Sequence, residues 1–132
     1  MDDININKAA IIRRCLTRVQ EEYRDDPGRL DDSTIQDSII LNLLRACEAS
    51  IALAMHRIAA ERLGIPQTSR DAFDILATHG LITHTTAAAM KNMVGFRNIA
   101  VHDYQRIQLE IIQSILTQHL TDFSSYLNEL TL

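Results

Sequence analysis

Apolar residues recur along this chain three and four positions apart, in five stretches separated by short polar breaks. Ile12, Cys15, Leu16, Val19 and Tyr23 form the stripe of a first helix spanning about Asn7 to Tyr23. After Asp25-Asp26-Pro27-Gly28, Asp32 or Ser33 can cap a second helix that runs to Leu63 and stops at Gly64, with Pro66 beyond. Ile35, Ile39, Leu43, Cys47, Ile51, Met55 and Ile58 line it, and about 30 residues make it long enough to be the backbone of a bundle. Ser69 caps a short third helix ending at Gly80, with Phe73 and Leu76 facing inward. A fourth starts after Thr83 or Thr85 and carries Ala87, Ala88, Ala89, Met90, Met93 and Phe96. Its Gly95 costs about 1 kcal/mol against alanine, so another backbone is expected to pass close there. The fifth runs from about Ile107 to Leu130, with Ile111, Ile112, Ile115, Leu116, Leu120, Phe123, Leu127 and Leu130 as its apolar face. Short connections imply antiparallel neighbours, which predicts an all-α, up-and-down helical bundle of about five helices.

Composition agrees with that architecture. A length of 132 residues suits one domain, 1–132, with a single core. A chain of this size buries about two-thirds of its unfolded surface and needs neither disulfide nor metal staples. Apolar residues make up 46% but aromatics only 5%, so Leu, Ile and Ala must fill the core. Cys15 and Cys47 stand alone, without a C-x-x-C or zinc spacing. The apolar runs are short and interrupted by charge, giving no signal peptide and no membrane span. A reduced, cytoplasmic protein is expected.

The formal charge of −4 argues against an open basic surface for nucleic acid. From Met90 to Arg106, however, Lys91, Arg97 and Arg106 stand against Asp103 alone, a balance of +2. RNA contact would be confined to that neighbourhood or strengthened by a second subunit.

One segment there exceeds what a fold requires: Arg97-Asn98-Ile99-Ala100-Val101-His102-Asp103-Tyr104. Arg97 can grip a phosphate, His102 can move a proton near neutral pH, and Tyr104 offers a nucleophilic or modifiable hydroxyl. On a continuous helix, Arg97 and His102 would lie about 140° apart and share no face. The functional reading therefore requires the helix to end near Ala100 or Val101, so that His102 folds back over the last turn toward Arg97. Tyr104 would then project on the same side as His102 if the connecting segment is extended. Asn98 could pin the guanidinium or cap a carbonyl, and Asp103 could orient a partner or accept from Arg106. A plainer account also fits: Arg and His near a helix C-terminus satisfy orphan carbonyls, and Tyr104 anchors the turn.

The run from Met93 to Tyr104 resembles the signature of the HEPN superfamily, which is Arg, four to six residues, then His. Its Arg-x4-His-x-Tyr form is similar to that of the HepT-like toxins. The likeness extends over most of the chain, through the long second helix, Leu63-Gly64-Ile65-Pro66, Ala72-Phe73-Asp74-Ile75-Leu76 and Gly80-Leu81-Ile82. The resemblance implies a HEPN-like bundle and a metal-independent endoribonuclease, the toxin of a type VII-like toxin–antitoxin pair. It also implies a homodimer with a composite cleft and a minimal nucleotidyltransferase antitoxin as partner. His102 would act as general base or acid and Arg97 would hold the scissile phosphate. RNA would be the substrate and DNA would be spared, because the 2′-hydroxyl is the internal nucleophile; no membrane is involved. Tyr104 would accept AMP from the antitoxin, which uses ATP and magnesium. An alternative of another class is a non-catalytic, nucleotide-binding subunit of a nucleotidyltransferase complex.

Other residues admit two readings each. Glu48 lies mid-helix among Ala46, Cys47, Ala49 and Ile51. It is either a solvated flank, neutralised by Arg45 or Arg57, or a carboxylate that orients Arg97 or His102. His79 and His84 flank Gly80, but no carboxylate or Cys joins them at metal-ligand spacing. His56 reads as a partly buried or interface histidine. The Ala-rich patches mean close helix packing or a dimer seam. Arg13, Arg14 and Arg18 form a solvated face or one that touches RNA or a partner.

Overall fold

The computed structural model describes residues 2–132, among which every regular element is helical. The chain forms α1 (Asp3–Tyr23), a 3-10 turn (Pro27–Asp31), α2 (Ser33–Glu61), α3 (Ser69–Thr78) and α4 (His84–His102). After a second 3-10 turn (Tyr104–Arg106) come α5 (Leu109–Ser114), a π turn (Ile115–His119) and α6 (Leu120–Glu129). The last three make one rod, so the bundle has five rods, as the apolar pattern predicts.

Caps explain most boundary differences. α1 begins a turn earlier than its stripe because the Asp2 side chain accepts from Ile4 N–H at 2.7 Å. α2 is capped by Asp32, as expected, but ends before Leu63: Arg62, at φ 55°, takes the left-handed position. Thr68, not Ser69, caps α3 by accepting from Asp71 N–H at 3.1 Å. Gly80 sits at φ 74° and ends that helix, with Leu81 N–H returning to Leu76 C=O at 2.9 Å. Thr83 caps α4, and the Glu129 carboxylate accepts from Thr83 N–H at 2.7 Å and from the Thr86 hydroxyl at 2.6 Å.

α1 and α2, α3 and α4, and α4 and the last rod run antiparallel, whereas α2 and α3 both oppose α4 and so run the same way. Asp2 at the start of α1 meets His56 near the end of α2, and the Thr83–Glu129 bond joins the start of α4 to the end of α6. Lys91 pairs with Asp74 at 3.0 Å while Arg97 reaches Ser69, which sets α3 against α4 in opposite directions. α2 is the central rod. Contrary to the expectation from interrupted apolar runs, it is long and apolar enough to cross a membrane by length and composition. Here Ile39, Leu43, Cys47, Leu53 and Ile58 sit in the shared core, and Leu41 is its one exposed large apolar side chain.

The fifth rod departs from a straight stripe. The π turn adds a residue to one turn and rotates the residues before it by about 100° relative to those after it. Ile111, expected inside, is 47% exposed, whereas Tyr126 is fully buried with its hydroxyl donating to Ser50 C=O at 2.9 Å. Gly95 is not a point of close backbone approach: a Cβ there would first meet the Arg70 guanidinium, 3.2 Å away.

Candidate functional site

α4 carries the motif and presents it on two sides. The helix does not stop at Ala100 or Val101; it runs through His102, and Asp103 N–H still bonds Ile99 C=O at 2.8 Å. His102 therefore does not fold back. Arg97 and His102 stay about 140° apart around the axis.

Arg97 points toward α2 and α3. Its Nη2 donates to Ser69 Oγ at 2.9 Å, and its Nη1 lies 3.8 Å from Glu48 Oε1. Ser69 is free for this because Thr68 has taken over the cap of α3. The Arg97 Nε–H is buried without a hydrogen-bond partner. Of the five donors in the guanidinium fork, one is hydrogen-bonded, so the group retains capacity for an anion. Glu48 pairs with this arginine rather than with Arg57, which bonds Glu61 at 2.6 Å. Asn98 does not pin Arg97, contrary to one expectation; it lines the cleft beside His102.

His102 is exposed at the rim of a cleft of about 450 Å³ between α4 and the start of the last rod. Phe96, Ile99, Ile107 and Ile111 form its apolar walls, with Asn98, Asp103 and Arg106 at its edge. Asp103 accepts from Arg106 at 3.4 Å, one of the two roles foreseen for it. The apolar wall continues into a neighbouring depression lined by Met93, Phe96, Ile99, Ile111 and Ile115. Ile99 and Ile111 are 44% and 47% exposed, so this strip lacks a cover within the chain.

Tyr104 does not join His102. It opens the 3-10 turn and its hydroxyl donates to Asp37 Oδ1 on α2. Burial, and then the neighbouring Asp37 carboxylate, push the phenol up from 10.0 to about 12. Arg97 and Tyr104 thus face α2 together. Their partners Glu48 and Asp37 are eleven positions apart, within about 20° on one face and about 16 Å along it.

Asp37 and the Ser69 contact were not legible in the sequence. No short-range spacing links Asp37 to Tyr104, and only the antiparallel register of α2 and α4 brings them together. The remaining candidates lie apart. His79 and His84 are exposed, and no cluster of His, Cys, Asp or Glu among the described residues is built to hold a metal. His56 is half-buried against Asp2. Arg18 pairs with Glu22 at 3.1 Å, and Arg13 donates to Leu132 C=O. Ala46, Ala49, Ala54 and Ala87 are packed inside, whereas Ala88 is exposed.

Comparison with known proteins agrees with this architecture. The family described as Ribonuclease HepT-like matches residues 10–130. The mRNA nuclease HepT of Shewanella oneidensis is 49% identical over 128 residues, covering 97% of this chain and 96% of that protein. A crystal structure of a toxin–antitoxin with AMP-PNP contains a chain 47% identical, superposing with a TM-score of 0.94 over 98% of each chain. A tri-AMPylated Shewanella oneidensis HEPN toxin in complex with MNT antitoxin is 48% identical, with a TM-score of 0.93 over 99% of this chain and 98% of that one. One family accounts for nearly every residue from α1 to α6, and a relative sharing close to half its positions matches from end to end: the chain belongs to the HepT-like ribonuclease family.

Proposed function

We propose that the chain is the toxin of a HEPN/MNT toxin–antitoxin pair, an endoribonuclease that works as a homodimer and is silenced by adenylylation of Tyr104. The observation that carries this reading is the division of the motif. Arg97 and His102 leave opposite sides of α4, and beside His102 lies an exposed apolar strip including Ile99 and Ile111. Within one chain Arg97 and His102 do not share a cleft, so a second copy is the way to place one chain's histidine with the other's arginine, and it doubles the local positive charge of an acidic protein.

In that cleft His102 removes the proton from a ribose 2′-hydroxyl, or protonates the departing 5′-oxygen. Arg97 offers its free N–H groups to the non-bridging oxygens as charge grows on them. The 2′-oxygen forms a bond to phosphorus as the 5′-oxygen leaves, giving a cyclic phosphate end. The internal nucleophile removes the need for a metal and spares DNA. Glu48, Asn98 and Asp103 are supporting residues: Glu48 is the weaker neighbour of Arg97 after Ser69, while Asn98 and Asp103 shape the His102 cleft. The cognate minimal nucleotidyltransferase, using ATP and magnesium, transfers AMP to Tyr104. The site of action is the cytoplasm.

Mixing two inactive chains tests the composite site. Arg97→Ala and His102→Ala should each abolish RNA cleavage and growth arrest. Co-expressed or refolded together, they should recover part of the activity, because a mixed dimer keeps one intact arginine and one intact histidine in the same cleft. No recovery from mixed dimers would refute the shared cleft, and a harmless wild type would refute the toxin reading.

A further inference from the structure

Tyr104 is 43% exposed, yet its hydroxyl is not free: it donates to Oδ1 of Asp37, an exposed carboxylate in the second turn of α2. No ion pair among the described residues engages Asp37. The phenol is thus bound to a carboxylate that no neighbouring cation neutralises, while one side of the ring stays open to a partner. A phenol held to about 12 is almost never ionised near neutral pH, so attack by a preformed phenolate would be rare. Transfer to the hydroxyl needs a base already on its proton. Asp37 is in that place.

We propose that Asp37 is the proton acceptor for modification of Tyr104, presenting the phenolic oxygen to the α-phosphate of a nucleoside triphosphate. The inference rests on the adenylylation reading given above. In the step, Tyr104 Oη forms a bond to the α-phosphorus while the bond from that phosphorus to the α,β-bridging oxygen breaks. Pyrophosphate leaves, and the phenolic proton passes to Asp37 Oδ1. The product has no donor left on Oη, so the tether to α2 cannot re-form. Once Asp37 has returned its proton to water, it repels the new phosphodiester. Modification therefore releases the turn Tyr104–Arg106 from α2, a turn with no buried side chain to hold it.

The test is time-resolved intact mass of the full-length chain with its nucleotidyltransferase, ATP and magnesium. Asp37→Asn keeps the shape and an oxygen that accepts from the phenol, but cannot take its proton. Its kcat for AMP transfer should fall about 100-fold or more, the scale of general-base catalysis, with KM for ATP within about twofold of wild type. Asp37→Glu should restore part of the rate. RNA cleavage by the unmodified Asp37→Asn chain, measured in parallel, should stay at the wild-type level and reports that it is folded. Asp37→Asn modified as fast as wild type overturns the proposal alone. A wild-type chain that gains no mass overturns the adenylylation reading and the proposal with it.

Discussion

The two tethers on Arg97 are unequal, and the inequality can be measured. Ser69 Oγ receives a charge-assisted hydrogen bond at 2.9 Å, whereas Glu48 lies 3.8 Å away, beyond hydrogen-bond reach, with 48% of its side chain exposed. Hydrogen bonds to charged groups contribute about 1.5–3 kcal/mol, but the arginine side chain is 21% exposed and water replaces part of what is lost. Ser69→Ala should therefore cost about 1 to 1.5 kcal/mol of positioning, a roughly five- to tenfold loss of cleavage rate. An exposed ion pair contributes about 0–1 kcal/mol, and this one opposes function in part, because Glu48 neutralises charge that a phosphate would otherwise receive. Glu48→Gln should leave the rate unchanged or raise it, by about fivefold at most. The assay is single-turnover cleavage of a defined RNA at fixed ionic strength, with thermal melting to show that both variants are folded. A Glu48→Gln loss larger than that of Ser69→Ala would refute this ranking and make the carboxylate the true orienting group.

Packing and titration give two further outcomes. Gly95→Ala meets only the mobile end of Arg70 and gains helix propensity, so it should raise stability by up to about 1 kcal/mol in chemical denaturation; a loss of that size would mean Arg70 cannot yield. Burial pushes the Cys47 thiol from 9.0 to about 12, and the folded state therefore holds that proton more tightly than the unfolded chain does. Its contribution to stability is complete below pH 9 and is lost as pH climbs toward 12. Cys47→Ala should flatten part of the alkaline fall in stability, and an unchanged slope in denaturant titrations from about pH 8 to pH 11 would assign the fall to other groups.

Much of the bundle was legible because helical periodicity is a local signal. The stripes through Ile12, Val19, Ile39, Leu43, Ile58, Phe73 and Phe123 all close on one core. What failed was non-local or depended on one turn. The π turn inserts a residue into the last rod, and no composition rule marks it; in the same rod Ile111 comes out and Tyr126 goes in. Thr68 displaces Ser69 as a cap because its hydroxyl meets Asp71 N–H, and the freed serine becomes a partner of Arg97. The motif residues stood out by chemistry alone. Their division between two sides of α4 became plain only once α4 was seen to continue through His102.

That division decides how a modification at Tyr104 would silence the enzyme. Closeness in sequence suggests that a phosphodiester two residues from His102 pairs with Arg97 at once, but the structure sets them apart. Tyr104 and Arg97 are held against Asp37 and Glu48, about 16 Å apart along α2, while electrostatic screening at physiological salt acts over about 8 Å. The first phosphate is thus largely screened from the arginine of its own chain. Toward the arginine of its own chain a single adenylate acts by its bulk, whereas a chain of them extends charge along the face where Arg97 lies. Residual cleavage should therefore fall stepwise with adenylate number when singly and multiply modified chains are separated and assayed at equal concentration. The singly modified chain should also regain activity less at high salt than the multiply modified one, because bulk is not screened. A singly modified chain that is already fully inactive, and is revived by salt to the same degree, would show that the first phosphate sits on a guanidinium and that the distance along α2 does not govern inhibition.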